Sequence, residues 1–194
     1  MNQRVRIKKM VTVGMLSGIS YLLMWLSFPL PLLPPYLSVD FSDVPALLAA
    51  ILFGPVAGIT VEAIKNLLHY MVQGSMTGVP VGQLANFTAG VLFILPTYYI
   101  FKKIRTTKGL GIGLAAGTIS MAVIMSILNY YIFLPAFAFF LNIDSGSTSV
   151  VIKSIVYGIL PFNIIKGLIV TLLFLLLYKK LSFWLDRQWN MKNV

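Results

Sequence analysis

The sequence predicts an all-α integral membrane protein with six transmembrane helices, both termini in the cytoplasm and an apolar, proline-rich outer loop after helix 1. Three observations lead to this fold class. Of 194 residues, 58% are hydrophobic and only 10% charged, whereas a soluble domain carries roughly 25% charged residues. Fifteen Lys and Arg face five Asp and Glu, for a formal charge of +10. Twelve of the fifteen basic residues fall in three clusters beside apolar runs, which marks cytoplasmic segments rather than a nucleic-acid surface. The apolar runs are long enough to span a bilayer, so the whole chain, 1–194, reads as a single transmembrane domain.

Arg4, Arg6, Lys8 and Lys9 precede the first run, which places a helix at about 8–28 with its N-terminus in the cytoplasm. It is kept as a helix because no small-residue cleavage site follows it. Gly14 and Gly18, with Ser17 beside them, form a stripe of small residues. Another helix can approach it closely, from within the chain or from a partner. Pro29, Pro31, Pro34 and Pro35 forbid regular helix, so 28–42 is an extended outer loop. Its apolar side chains, among them Tyr36, Leu37, Val39 and Phe41, suit a loop resting on lipid headgroups or a lid over a site.

Ser42 or Asp43 can cap the next helix, with Pro45 in its first turn. Lys102, Lys103, Arg105 and Lys108 mark a second cytoplasmic loop. The chain must therefore cross an even number of times before it, which splits the next run at Gly54-Pro55 into helices at 43–53 and 55–72. The first is too short for a full span. On the second, Glu62, Lys65, Asn66 and His69 share a face. Glu62 and Lys65 can neutralise one another or line the bundle interior, and His69 reads as an interfacial residue. Helices at 81–102, 109–140 and 150–185 follow. Gln83 and Asn86 lie in the outer turns of the fourth, and Gly109, Gly113 and Gly117 make a close-packing stripe on the fifth. Tyr130 and Tyr131 suit the aromatic belt, whereas Asn129 lies deeper. Lys179, Lys180 and a tail with Arg187 and Lys192 are cytoplasmic, while Asp40, Asp43 and Asp144 fall on the outer side.

The sixth helix holds the most costly residues. Pro161-Phe162-Asn163-Ile164-Ile165-Lys166-Gly167 places an amide and an ammonium within hydrocarbon, where each needs a partner, a cavity or a ligand. Asn163 and Lys166 are three apart and share a face; Asn129 and Asn86 can converge with them. Amides offer both donor and acceptor, lysine only donors, and aromatics at 36, 41, 130 and 131 can supply a stacking wall. The set suits a flat, polar-edged heterocycle better than an inorganic ion. The alternative is a polar network that joins helices. Catalytic signatures are missing: the sequence has no Gly-Lys dipeptide and hence no P-loop, one histidine and no cysteine, and no Gly-x-Ser-x-Gly motif. No metal site or cofactor is expected.

Three segments, Ser42-Asp43-Val44-Pro45-Ala46-Leu47 with Phe53-Gly54-Pro55, Gly82-Gln83-Leu84-Ala85-Asn86-Phe87, and Pro161 to Gly167, resemble the substrate-binding S components of energy-coupling-factor (ECF) vitamin transporters, most closely the riboflavin-specific ones. The resemblance implies six helices in the cell membrane and a vitamin pocket near the outer face, covered by the loop after helix 1. It also implies a non-enzymatic role alongside a transmembrane coupling subunit and two ABC ATPases, with riboflavin as transported ligand and no nucleic-acid partner. Carried over, Asn163, Lys166 and Asn129 would hold the polar edge or the ribityl chain, with Tyr36, Phe41, Gln83, Asn86 and Tyr130 around them. Gly14 and Gly18 stand where the family usually has alanines on the coupling surface. An S component for thiamine or folate, or a non-transport membrane scaffold of the cell envelope, are the competing readings.

Overall fold

The computed structural model describes residues 3–31, 33, 34, 37–144 and 146–190, with side chains through Lys180. Helix α1 (Gln3–Trp25) is followed by a two-stranded antiparallel ribbon, β1 (Phe28–Pro29) against β2 (Ser38–Val39), with Phe28 opposite Val39 and Pro29 opposite Ser38. Then come α2 (Asp43–Phe53), α3 (Pro55–Gln73) and α4 (Val81–Lys103). Helix α5 (Thr107–Leu141) contains a π-helical turn at Asn129–Phe133. Helix α6 begins as Thr148–Ser154, passes through a second π-helical turn at Ile155–Ile159 and continues as Leu160–Asn190. The fold is all-α apart from the ribbon. Helices α1, α4, α5 and α6 are long and apolar enough to cross a membrane.

Two local features differ from the sequence expectation. Helix α1 stops at Trp25 rather than near 28, because Phe28 and Pro29 are drawn into the ribbon. The proline-rich loop is thus folded back on itself rather than simply extended. Ser42 does stand at the start of α2, yet its side chain caps nothing there; its hydroxyl is committed to Asp40 and Lys65. The break between α2 and α3 is set by Gly54, whose φ of 98° is accessible to glycine at little cost, and Pro55 then opens α3.

Helix α2 is the hub. Its 11 residues span only about 16 Å at 1.5 Å per residue, and nearly all are buried. A helix apolar on every side belongs in the interior, and α2 touches α1, α3, α4 and α6. The Lys9 ammonium donates to the Phe53 carbonyl at 3.2 Å, a cation at the negative end of α2. Helix α5 packs between α4 and α6 at two close approaches. A β-carbon at Gly117 would lie 2.5 Å from the Phe93 carbonyl oxygen, and one at Gly167 would lie 2.6 Å from Thr118 Cγ2. The inward stripe of α1 is Val13, Ser17, Ser20 and Met24, with the Ser20 hydroxyl donating to the Ser42 carbonyl. Gly14 and Gly18 belong to another face, and a β-carbon on either would meet nothing within 4 Å. Packing within the chain therefore does not explain them.

Candidate ligand-binding site

Helix α3 is too polar to read as an ordinary span, and its polar face explains why. Glu62, Lys65 and Asn66 point inward and are at most 5% exposed. Five ionisable side chains meet there: Asp40, Asp43, Glu62, Lys65 and Lys166, all essentially out of solvent. Lys65 donates to Asp43 Oδ1 at 2.5 Å and to Ser42 Oγ at 2.6 Å. Its ammonium also lies 2.9 Å from Glu62 Oε2, although neither Glu62 oxygen has a partner in hydrogen-bond geometry. That contact is a charge pairing alone. Lys166 reaches Asp43 Oδ2 at 3.2 Å and Asp40 Oδ2 at 3.6 Å, the second too long for a hydrogen bond. Buried charges persist only when paired, and the acids that pair the two lysines come from the loop, α2 and α3. The sequence reading took Asp40 and Asp43 as markers of the outer side; they lie at the centre of this network.

Above the network opens a cavity of about 460 Å³, within the range of small-molecule sites. Its walls come from every element of the fold except β1 and α2. Met24 and Ser27 close it at the end of α1; Leu37, Ser38 and Asp40 come from the loop; His69, Gln73, Gly74, Ser75 and Met76 from α3 and the turn after it. Gln83, Asn86 and Ala89 line it from α4, Met125, Asn129, Leu134 and Phe137 from α5, and Ile159, Phe162, Asn163 and Lys166 from α6. The loop thus acts as a wall of the cavity. Pro34 packs over Gly158 of the second π turn, where a β-carbon would lie 3.5 Å from the proline ring.

Local structure fixes how the polar groups face. The side-chain N–H of Asn129 donates to the Met125 carbonyl at 2.8 Å, and that of Asn163 donates to the Ile159 carbonyl at 2.8 Å. Each bond ties down the amide nitrogen beside a π-helical turn, a feature common at functional sites, and leaves the amide oxygen as an acceptor. Gln83 donates to the Gly74 carbonyl at 2.8 Å and lies 3.3 Å from His69 Nδ1. Asn86 donates to Asp40 Oδ2 at 3.3 Å. The site can therefore hold a ligand with mixed donors and acceptors on its edges and apolar surface on its faces.

Of the residues singled out in the sequence, Asn129, Asn163, Lys166, Gln83 and Asn86 come together here. Phe41 and Tyr130 are not among the lining residues: Phe41 packs against Phe28 at 5.9 Å between ring centroids, and Tyr130 against Tyr131 at 4.8 Å. Tyr36, Arg187 and Lys192 lie outside the described side chains. Gly14 and Gly18 sit on α1, away from the cavity. Sequence reasoning missed Asp40, His69, Phe137 and Phe162. Among the described residues, the aromatic lining comes from Phe137 and Phe162 rather than from Tyr130. A signal for Asp40 was present, since two lysines in apolar helices require acids nearby.

Comparison with known proteins agrees with this architecture. Residues 8–178 match the family model described as ECF transporter, substrate-specific component. Riboflavin transporter FmnP of Bacillus subtilis (strain 168) is 54% identical over 184 residues, 95% of this chain and 97% of that protein. Riboflavin transporter RibU of Staphylococcus aureus (strain TCH60) is 49% identical, with 93% of each chain covered, and RibU of Streptococcus thermophilus is 34% identical over 90% of this chain and 83% of its own. A solved S component of a bacterial ECF transporter superposes with a TM-score of 0.79 at 46% identity, covering 93% of this chain and 98% of that one. With its apolar helices and a cavity edged by a few polar groups, this membrane protein belongs to the family of substrate-specific components of ECF transporters.

Proposed function

We propose that the chain binds riboflavin at the outer face of the cell membrane and delivers it inward with a separate ATP-driven coupling module. The observation that carries this reading is the wall made by Asn129, Asn163 and Lys166. The isoalloxazine ring of riboflavin carries a carbonyl, an N–H and a second carbonyl in sequence along one edge. Amide oxygens held outward by bonds to Met125 and Ile159 suit the N–H, and the Lys166 ammonium suits a carbonyl. Phe137 and Phe162 flank the same space with apolar surface. The relatives named for riboflavin transport support the same vitamin over thiamine, a cation that a deep lysine disfavours.

The orientation belongs to this proposal: six crossings, both termini in the cytoplasm beside the basic clusters, and the proline-rich ribbon outside, over the cavity. Gly14 and Gly18 offer an open face of α1 for close approach by a transmembrane coupling subunit, with two ABC ATPases supplying the energy. No catalytic step is assigned to this chain.

The test is direct. Protein purified from cells supplied with riboflavin should be yellow, and the emptied protein should quench added riboflavin fluorescence stoichiometrically. A colourless preparation that also leaves riboflavin fluorescence unchanged refutes the proposal.

A further inference from the structure

We infer that the seam between α3 and α4 binds a sodium ion through the side-chain oxygens of Glu62, Asn66 and Asn86. Glu62 and Asn66 do not line the ligand cavity, so the inference is independent of what that cavity takes.

Two contacts fix the register of these antiparallel helices. A β-carbon at Gly90 would lie 2.4 Å from the Glu62 carboxyl carbon, and Gln83 lies 3.3 Å from His69 Nδ1. From Glu62 up to His69, and from Gly90 back to Gln83, is about two helical turns. Asn66 and Asn86 each stand about one turn in from the Glu62–Gly90 contact. They therefore face each other across the seam, next to the carboxylate.

This seam is rich in acceptors. Glu62 is fully buried and Asn66 is 5% exposed. Among the described residues, both Glu62 carboxyl oxygens, Asn66 Oδ1 and Asn86 Oδ1 are buried without a hydrogen-bond partner. The nitrogens set the amide orientations: Asn66 donates to the Glu62 carbonyl at 2.9 Å and Asn86 to Asp40 Oδ2 at 3.3 Å. Turning either amide over would set oxygen against oxygen. The Lys65 ammonium comes within 2.9 Å of Glu62 Oε2, but its hydrogen bonds go to Asp43 and Ser42. Four buried oxygens thus share one seam without a donor, which is costly unless a donor or a positive charge lies among them.

Charge decides which. Asp40, Asp43 and Glu62 bring three carboxylates against the two ammonium groups of Lys65 and Lys166, all out of solvent. One positive charge is missing. A water molecule brings donors but no charge. A proton on Glu62 brings the charge but a single donor, and leaves the other oxygens unserved. A divalent ion overshoots the balance. A monovalent cation restores it and is shared by all four oxygens, and carboxylate and amide oxygens are the ligands that hard cations prefer. The smaller sodium ion suits a seam so close that a β-carbon at 90 would strike the carboxyl.

Thermal unfolding of the purified, ligand-free protein in sodium, potassium and choline chloride at one ionic strength tests this. A cation that binds only the folded state raises Tm with its concentration. Tm should rise with sodium, less with potassium, and not with choline. Glu62→Gln should abolish the rise, and Asn66→Ala should shift it to at least about tenfold higher sodium. Asn66→Ala leaves every carboxylate in place and serves alone if Glu62→Gln does not fold. Equal Tm in the three salts overturns the inference, as does a sodium response that survives in both variants. A Tm that follows pH but not the choice of cation assigns the missing charge to a proton and overturns it too. Riboflavin titration of the same protein is a separate reading, so the vitamin site stands or falls on its own.

Discussion

Replacing Lys65 by Met tests whether the buried ion network holds the bundle together. Its ammonium is fully buried and sits 2.5 Å from Asp43, 2.6 Å from Ser42 Oγ and 2.9 Å from Glu62. Removing one member of a buried pair costs about 3–5 kcal/mol, because the charge left behind stays desolvated. Asp43 retains Lys166, 3.2 Å from its other oxygen, whereas Glu62, already without hydrogen bonds, loses the one cation it touches among the described residues. The partial compensation at Asp43 puts the loss near the lower end, about 3 kcal/mol. Most of that penalty resides on Glu62, so Lys65→Met with Glu62→Gln should recover about 1–2 kcal/mol of coupling relative to the single variant. Equilibrium unfolding in mixed micelles, titrated with a denaturing detergent and followed by tryptophan fluorescence, measures both values. A single variant within about 0.5 kcal/mol of wild type, a change ordinary for surface substitutions, would refute the reasoning. So would a double variant no more stable than the single one.

Asn163→Ala and Lys166→Ala should each weaken riboflavin binding by about 1–3 kcal/mol in fluorescence titrations, and unchanged affinity in both would reject the ring-edge wall. Gly167→Leu drives a side chain into Thr118 and should destabilise by about 1–3 kcal/mol through overpacking, read in the same micelle titration. Gly14→Leu with Gly18→Leu points into open space, so folding and riboflavin titration should match wild type while co-purification with the coupling subunit is lost. Normal co-purification would remove those glycines from the proposed contact.

Much of the scaffold could be read from local chemistry. Gly54-Pro55 announces a break because one residue can take a positive φ and the next cannot donate within a helix. Gly113 and Gly117 announce a seam, and Asn163 and Lys166 announce a cavity, because each is costly in any other setting. What escaped was whatever depends on distant partners. Asp40 in the apolar loop and Asp43 at the start of α2 read as markers of sidedness; only the fold brings them to Lys65 and Lys166. The tyrosines at 130 and 131 have the composition of a stacking wall, but the π turn in which they lie turns them against each other. No propensity signals a π turn, so Phe137 and Phe162 took the place expected of them.

Each π turn inserts one residue beyond the α-helical count, and one residue corresponds to about 100° of rotation in a helix of 3.6 residues per turn. In α5 the turn lies between the close-packed seam at Gly113 and Gly117 and the cavity-lining Leu134 and Phe137. The two stretches of that helix therefore keep different angular phases. Leu134 and Phe137 can change without re-registering the seam that holds α4 and α5 together. One scaffold can in this way carry many different pockets while the bundle beneath them stays the same.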